Sequence, residues 1–333
     1  MNLPARLSEL ADSFVIPLEH YGLISVTGEE KESYLHGQLT VDINKLSAGQ
    51  ARRSAHCDFK GKTWSLQNVV RYDQQILLSL PKEVLDISLA QLNKYGVFSK
   101  VDIVDASDSL HQVAFRGTSA CQWFTDAGIA MPAEPLGVTA YDNGVVIRLD
   151  RPDDVFMAIL PAKDAAALAT FAQQHDAIAV YAAGVFEALS IEQGIPQFGA
   201  AHSNEYVPQM MNVQALQGID FSKGCYMGQE VVARTRYLGR NKRAAYVFKL
   251  EAGVSIKPDA IVEKQLGENW RRGGAIIRQA TLGQETWLLA VLNNDTTQDD
   301  VFRLADAPEH LFSVQPLPYS IDEPKGNERV RPG

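Results

Sequence analysis

Apolar and polar positions alternate along the first hundred residues in short runs, broken by glycine, asparagine, aspartate and lysine. Alternation over 21–27 predicts a strand, Gly28 ends it, and 29–38 carries the spacing of a helix with acidic residues in its first turn. Residues 51–58, 63–72 and 75–80 read as three strands joined by turns at Lys60-Gly61-Lys62 and Asp73-Gln74. Pro81 opens a helix to about Tyr95 with Val84, Leu85, Leu89 and Leu92 on one stripe, and 101–104 returns to strand. A similar order follows, with strands at 113–116, 145–149 and 155–160 and helices at 119–127, 161–175 and 181–193. Gly194 and Pro196 stop the last helix. Beyond Lys242 helical spacing disappears, and short strands are expected at 244–250, 260–263, 274–278, 286–292 and 312–317.

Helices kept to one side of mostly antiparallel sheets imply an α+β protein: two split, ferredoxin-like α+β lobes and a small C-terminal β-barrel. The division expected is 1–242 for the two lobes (one about 50–115, the other about 1–49 with 116–242), 243–325 for the barrel and 326–333 for a flexible tail. No Gly-x-Gly-x-x-Gly follows the first strand, so the usual dinucleotide fingerprint is missing.

Composition narrows the possibilities. With 46% hydrophobic and 21% charged residues over 333 positions, the chain reads as globular, and no apolar run reaches the ~18 residues of a membrane helix. A cytoplasmic, monomeric protein is the expectation. Cys57, Cys121 and Cys225 lie far apart and make no Cys-x-x-Cys, which argues against a disulfide framework, a zinc site or a redox pair. The net charge of −9 disfavours general nucleic-acid binding. Between Phe221 and Lys249, however, seven cations (Lys223, Arg234, Arg236, Arg240, Lys242, Arg243, Lys249) face one anion, Glu230. Such an island suits a compact polyanion; the alternative is a solvated helix face with a Glu230–Arg234 pair one turn apart.

Candidate chemistry centres on Lys223-Gly224-Cys225-Tyr226-Met227-Gly228-Gln229-Glu230, just ahead of an amphipathic helix. Gly224 and Gly228 allow a tight bend, and a helix N-terminus with Lys223 nearby would favour the Cys225 thiolate over a free thiol at ~8.5. The alternative is a glycine-rich connection around a buried cysteine.

Three stretches together, Lys223–Glu230, Tyr34-Leu-His-Gly-Gln-Leu-Thr-Val-Asp42 and His56-Cys-Asp-Phe-Lys-Gly-Lys62, carry a resemblance that covers about residues 18–320. The chain resembles the YgfZ family, folate-binding, tRNA-modifying relatives of the glycine-cleavage T protein (an aminomethyltransferase). That resemblance implies a three-domain ring with a central hole for tetrahydrofolate or a one-carbon derivative. It also implies a role in supporting iron–sulfur enzymes, including those that thiolate tRNA. The family's functional cysteine and lysine match Cys225 and Lys223, and Tyr226, Gly228, Gln229 and Glu230 match the rest of its signature.

Two tryptophans associated with the family's folate site are replaced by Tyr21 and Phe186, which can still stack on a pterin or can simply be core. Glu192 matches the T protein's folate-binding glutamate, with a solvent-facing helix end as its alternative role. Arg234, with Arg236, would complete an anionic pocket. The T protein's aspartates after its first glycine turn have no counterpart in Gly61-Lys62-Thr63-Trp64-Ser65-Leu66. Loss of a general acid/base there typically costs ~10²–10⁴-fold, so aminomethyl transfer or demethylation is the secondary expectation. A non-catalytic RNA-binding adaptor using Arg234–Arg243 and Asn269-Trp270-Arg271-Arg272 is the third.

Overall fold

The computed structural model describes residues 2–237, 239, 241–251, 254, 256, 257 and 260–321. The tail expected at 326–333, the last residues of the expected barrel and Arg240 of the basic island lie outside the described residues. The chain begins with β1 (Phe14–Pro17), β2 (Tyr21–Thr27), α1 (Lys31–Gln38), β3 (Arg52–Cys57), β4 (Thr63–Tyr72), β5 (Gln75–Pro81), α2 (Lys82–Gly96) and β6 (Asp102–Asp105). It continues with β7 (Leu110–Arg116), α3 (Thr118–Asp126), β8 (Val138–Tyr141), β9 (Gly144–Arg148), β10 (Val155–Pro161), α4 (Ala162–Gln174), β11 (Ala179–Val180) and α5 (Ala183–Glu192). After a long connection come α6 (Gln229–Tyr237), β12 (Arg243–Leu250), β13 (Ile261–Leu266), β14 (Asn269–Thr281), β15 (Thr286–Asn293), β16 (Phe302–Leu304), β17 (Ala307–Phe312) and β18 (Val314–Gln315).

Three sheets result: β3-β4-β5-β2-β6, β11-β1-β7-β10-β9-β8, and a curled half-barrel β17-β16-β13-β14-β15-β12-β18. This is the expected α+β architecture with a C-terminal barrel. Strand pairing groups residues 21–27 with 52–105, where the sequence pattern had grouped 1–49 with 116–242. The reason is that β2 hydrogen-bonds antiparallel to both β5 and β6, while β1 joins β7 and β11.

Burial follows a period of two along the strands, and both faces are covered. On β12, Ala244, Tyr246, Phe248 and Leu250 fill the barrel interior, while Ala245 and Val247 join the large core shared with the lobes. β15 repeats this with Leu288, Ala290 and Leu292 inside, and Trp287, Leu289 and Val291 toward the shared core. That two-sided burial explains the unbroken apolar run of 287–292. Helix α5 is buried from Val185 to Ile191 and packs against β1, β14 and β15, so it joins barrel to lobe. A helix apolar on every side must be enclosed, and this one carries a single charged residue in its middle, Glu187.

Candidate functional site

The fold draws the three signature stretches into one place. The segment 223–230 runs between the C-terminal end of α1 and the turn joining β3 to β4. Met227 N–H donates to Gly37 O at 3.0 Å, and Asp220 N–H donates to Thr40 O at 2.9 Å. Arg52 pairs with Asp220 at 2.9 Å, holding the approach to the loop against β3.

Gly228 has φ +82°, and a Cβ there would stand 2.4 Å from Asp58 O and 2.8 Å from Gly61 Cα. Gly61, at φ +70°, would place its own Cβ 3.0 Å from Val231 Cβ. Two glycines thus let the start of α6 touch the β3–β4 turn, backbone against backbone. Gly224, expected to need similar freedom, lies outside the left-handed region. Asp58, which had no legible role, shapes the turn: its Oδ1 accepts from Lys60 N–H and Lys62 N–H, both at 2.8 Å.

Lys223 caps the end of α1. Its ammonium donates to Leu39 O at 2.6 Å and to His36 O, the carbonyls left over at the end of α1, and lies 4.7 Å from the centre of the Tyr226 ring. A cation is favourable at that helix end. Burial pushes the Lys223 amine down to about 8, with the charges of Asp42 and Asp220 opposing the fall. Gln229 completes the cluster by donating to Lys223 O at 3.5 Å. Cys225 itself is exposed, which rules out the buried-cysteine alternative. Arg234 is also exposed and is paired with Glu230 one turn earlier on α6. Trp270, proposed to stack on a base, has the Arg303 guanidinium 4.2 Å from its ring centre.

A second site, a narrow cleft of about 40 Å³, opens where the two lobe sheets meet α5. Small-molecule pockets run to ~300–1,000 Å³, so a ring entering this slot has to part its walls. Tyr21 and Phe186 both line it, edge to face, with centroids 5.9 Å apart and rings at 82°. Leu66 and Met157 add apolar wall. Among the described residues the polar lining consists mainly of amides (Gln67, Asn68, Gln197) and two arginines, with no carboxylate. Arg53 is held by Asp150 at 2.5 Å, and Arg151 lies 5.6 Å from the centre of the Tyr319 ring.

Glu192 does not line this cleft. It ends α5 half-buried on the barrel side, where burial and the charge of Glu285 push its carboxyl up against the pull of Lys249. The buried carboxylate beside the aromatic pair is Glu187 instead. Its Oε1 lies 2.5 Å from His20 Nε2, and its Oε2 accepts from Arg278 Nε of the barrel. Burial disfavours the Glu187 charge, yet the attraction of Arg278 and the hydrogen bonds from His20 and Arg278 hold it well below the usual carboxylate range. Tyr21 is pushed the other way, up, by burial and by that same carboxylate. The signal for this pair was present: a lone Glu in Val-Phe-Glu-Ala-Leu-Ser-Ile must find a cation.

The two sites lie toward opposite ends of one hairpin. Arg53 of β3 and its register partner Asn68 of β4 line the cleft, whereas the signature loop packs on the turn at Asp58 and Gly61. At ~3.3 Å per residue, Ser54 and Asp58 are about 13 Å apart along the strand.

Comparison with known proteins agrees with this architecture. Residues 241–307 match the profile described as YgfZ, beta-barrel domain. The tRNA-modifying protein YgfZ of Yersinia pseudotuberculosis serotype O:1b is 38% identical over 316 residues, spanning 93% of this chain and 94% of that relative. The protein of the same name from Yersinia enterocolitica serotype O:8 is 37% identical over 312 residues, with 93% and 94% covered. The crystal structure of glycine cleavage system aminomethyltransferase T from Bartonella henselae superposes with a TM-score of 0.72. It covers 92% of this chain and 86% of that one at 16% identity, a likeness of fold alone. Identity at that level across almost the whole length, with the barrel profile in the expected place, shows that this chain belongs to the YgfZ family.

Proposed function

We propose that the chain is a cytoplasmic, monomeric, folate-binding accessory protein that supports iron–sulfur enzymes and tRNA modification, thiolation included, through tetrahydrofolate and the Cys225 thiol. Family membership supports the tRNA-modifying part of this reading, since the relatives carry that description. The observation that carries the folate part is the cleft: an edge-to-face aromatic pair, an apolar wall, amides and two arginines lining one cavity. A pterin needs a flat apolar slot with polar edges, and the folate tail is anionic; the residues present fit both.

Tyr21 and Phe186 would hold the ring, and Arg53 and Arg151 would draw the carboxylate tail. When bound, the folate supplies a one-carbon unit. Cys225 would act as the nucleophile or transient sulfur carrier, from an exposed loop separate from the ring's slot. Lys223, Tyr226 and Gln229 position that loop rather than the folate. Among the described residues the lining offers no carboxylate to move a proton during aminomethyl transfer, so binding rather than T-protein chemistry is the reading favoured.

Calorimetric titration with tetrahydrofolate tests the proposal. Wild type should bind one equivalent, and Phe186→Ala should bind about 10-fold more weakly through lost stacking and contact area. No binding by wild type, or unchanged affinity in Phe186→Ala, would overturn it.

A further inference from the structure

Cations from three separate elements gather where the first lobe meets the barrel. Lys62, in the β3–β4 turn, donates from Nζ to Glu205 O at 2.5 Å, and Thr63 N–H donates to Tyr206 O at 2.8 Å. The barrel reaches the same segment through Asn241, which donates to Gln209 O at 3.0 Å just ahead of Arg243. In the barrel register Arg243 of β12 faces Asn293 and Gly274 of β14 faces Leu292, so Arg243 and Arg272 flank the same end of β15. Their charges both act on Tyr206: burial and Glu205 push its hydroxyl up to about 12, and the two arginines oppose the rise. Arg243 and Arg272 are exposed, as is Lys60 in the turn, and none of these cations, Lys62 included, forms an ion pair among the described residues. The carboxylates beside them are already engaged, Glu205 with His202 at 2.9 Å and Glu263, opposite Arg272, with Arg303 at 2.8 Å. Positive charge is therefore left over at one place on a chain of net charge −9. Phe59, next to Lys60, is 70% exposed, with the Lys60 ammonium 5.5 Å from its ring centre. The same turn packs against Gly228 and Val231, so the exposed Cys225 loop is its neighbour.

We propose that this face binds tRNA directly, with Lys60, Lys62, Arg243 and Arg272 on backbone phosphates and Phe59 stacked on an unpaired base. The inference rests on the tRNA-modifying part of the proposed function and deepens it: tRNA becomes a partner that this chain itself holds, beside the Cys225 loop. Phosphate contacts supply affinity and orientation without reading sequence. An aromatic ring held out in water among cations is a platform for a base, and the loops and ends of a folded RNA present unstacked bases to it. An acidic protein segment answers the cations alone and gives Phe59 no base to cover.

Fluorescence anisotropy with end-labelled, unfractionated tRNA tests this between about 50 and 200 mM salt, with heparin as a polyanion that has no bases. Four phosphate contacts imply a slope of log affinity against log salt of about −3 to −4, a loss of roughly 50- to 150-fold over that range. Arg243→Gln combined with Arg272→Gln should flatten the slope by about 1.5. Phe59→Ala should weaken tRNA binding about 10-fold and leave heparin binding unchanged. None of these residues lines the cleft, so tetrahydrofolate affinity and the thermal unfolding transition should stay at their wild-type values in every variant. Wild-type protein that binds tetrahydrofolate but no tRNA at about 50 mM salt overturns the inference and leaves the folate reading standing. Salt-sensitive tRNA binding without tetrahydrofolate binding does the reverse. An unchanged slope in the arginine variant overturns the inference as well, and so does equal weakening of tRNA and heparin in Phe59→Ala, which would favour an acidic protein partner.

Discussion

The buried trio of Glu187, Arg278 and His20 allows a quantitative prediction. Arg278→Met keeps much of the side-chain volume but removes the cation that α5 needs from the barrel. The side chains of Glu187 and Arg278 are only 9% and 10% exposed, so the carboxylate left behind is in poor solvent with His20 alone for support. Removing one partner of such a pair costs ~3–5 kcal/mol, far above an exposed ion pair. The pH dependence has a definite sign. In wild type the Glu187 carboxyl is depressed, so its contribution is complete above the unfolded carboxylate range and is lost as pH falls toward its folded value. Without Arg278, burial is the dominant influence and raises the carboxyl, so folding takes up a proton and the deficit shrinks on acidification. Urea unfolding followed by tryptophan fluorescence at pH 7 and pH 4 measures both. A deficit of ~3 kcal/mol or more at pH 7 that narrows at pH 4 is expected. A deficit below ~1 kcal/mol, or one that grows in acid, would refute the reasoning.

Two further outcomes follow from the signature loop. Cys225 should be alkylated well before the other thiols at pH 8, because burial pushes Cys121 up to about 11 and Cys57 up to about 12 while Cys225 is exposed; peptide mass mapping that finds equal labelling would contradict this. Gly228→Ala should destabilise by at least ~1–3 kcal/mol, since both its positive φ and the 2.4 Å approach to Asp58 O oppose a side chain. A urea midpoint within error of wild type would show that the close approach is not needed.

Much of the architecture was legible because the strands alternate and their ends are punctuated. Most of the elements up to α5 and the all-β C-terminal part were read from that pattern. The strands missed were β1, β8, β11, β16 and β17, of two to six residues each, too short for a period of two to stand out. β14 was read as a short strand at 274–278 but runs from Asn269 to Thr281, its polar first half pairing with β13 at the barrel's surface. At the candidate sites, residue types were visible and directions were not. Lys223 sits two residues from Cys225 in sequence, yet carbonyls 184 and 187 positions away take its ammonium. Arg278 and Glu187 are 91 residues apart, and no local pattern pairs them.

The separation of the thiol from the aromatic slot along one hairpin has an operational consequence. On the proposed function, a small molecule in the slot and a protein or tRNA at the sulfur would meet different ends of that hairpin. Loading and docking would then be free to occur in either order, and occupancy of one position could be read out without emptying the other.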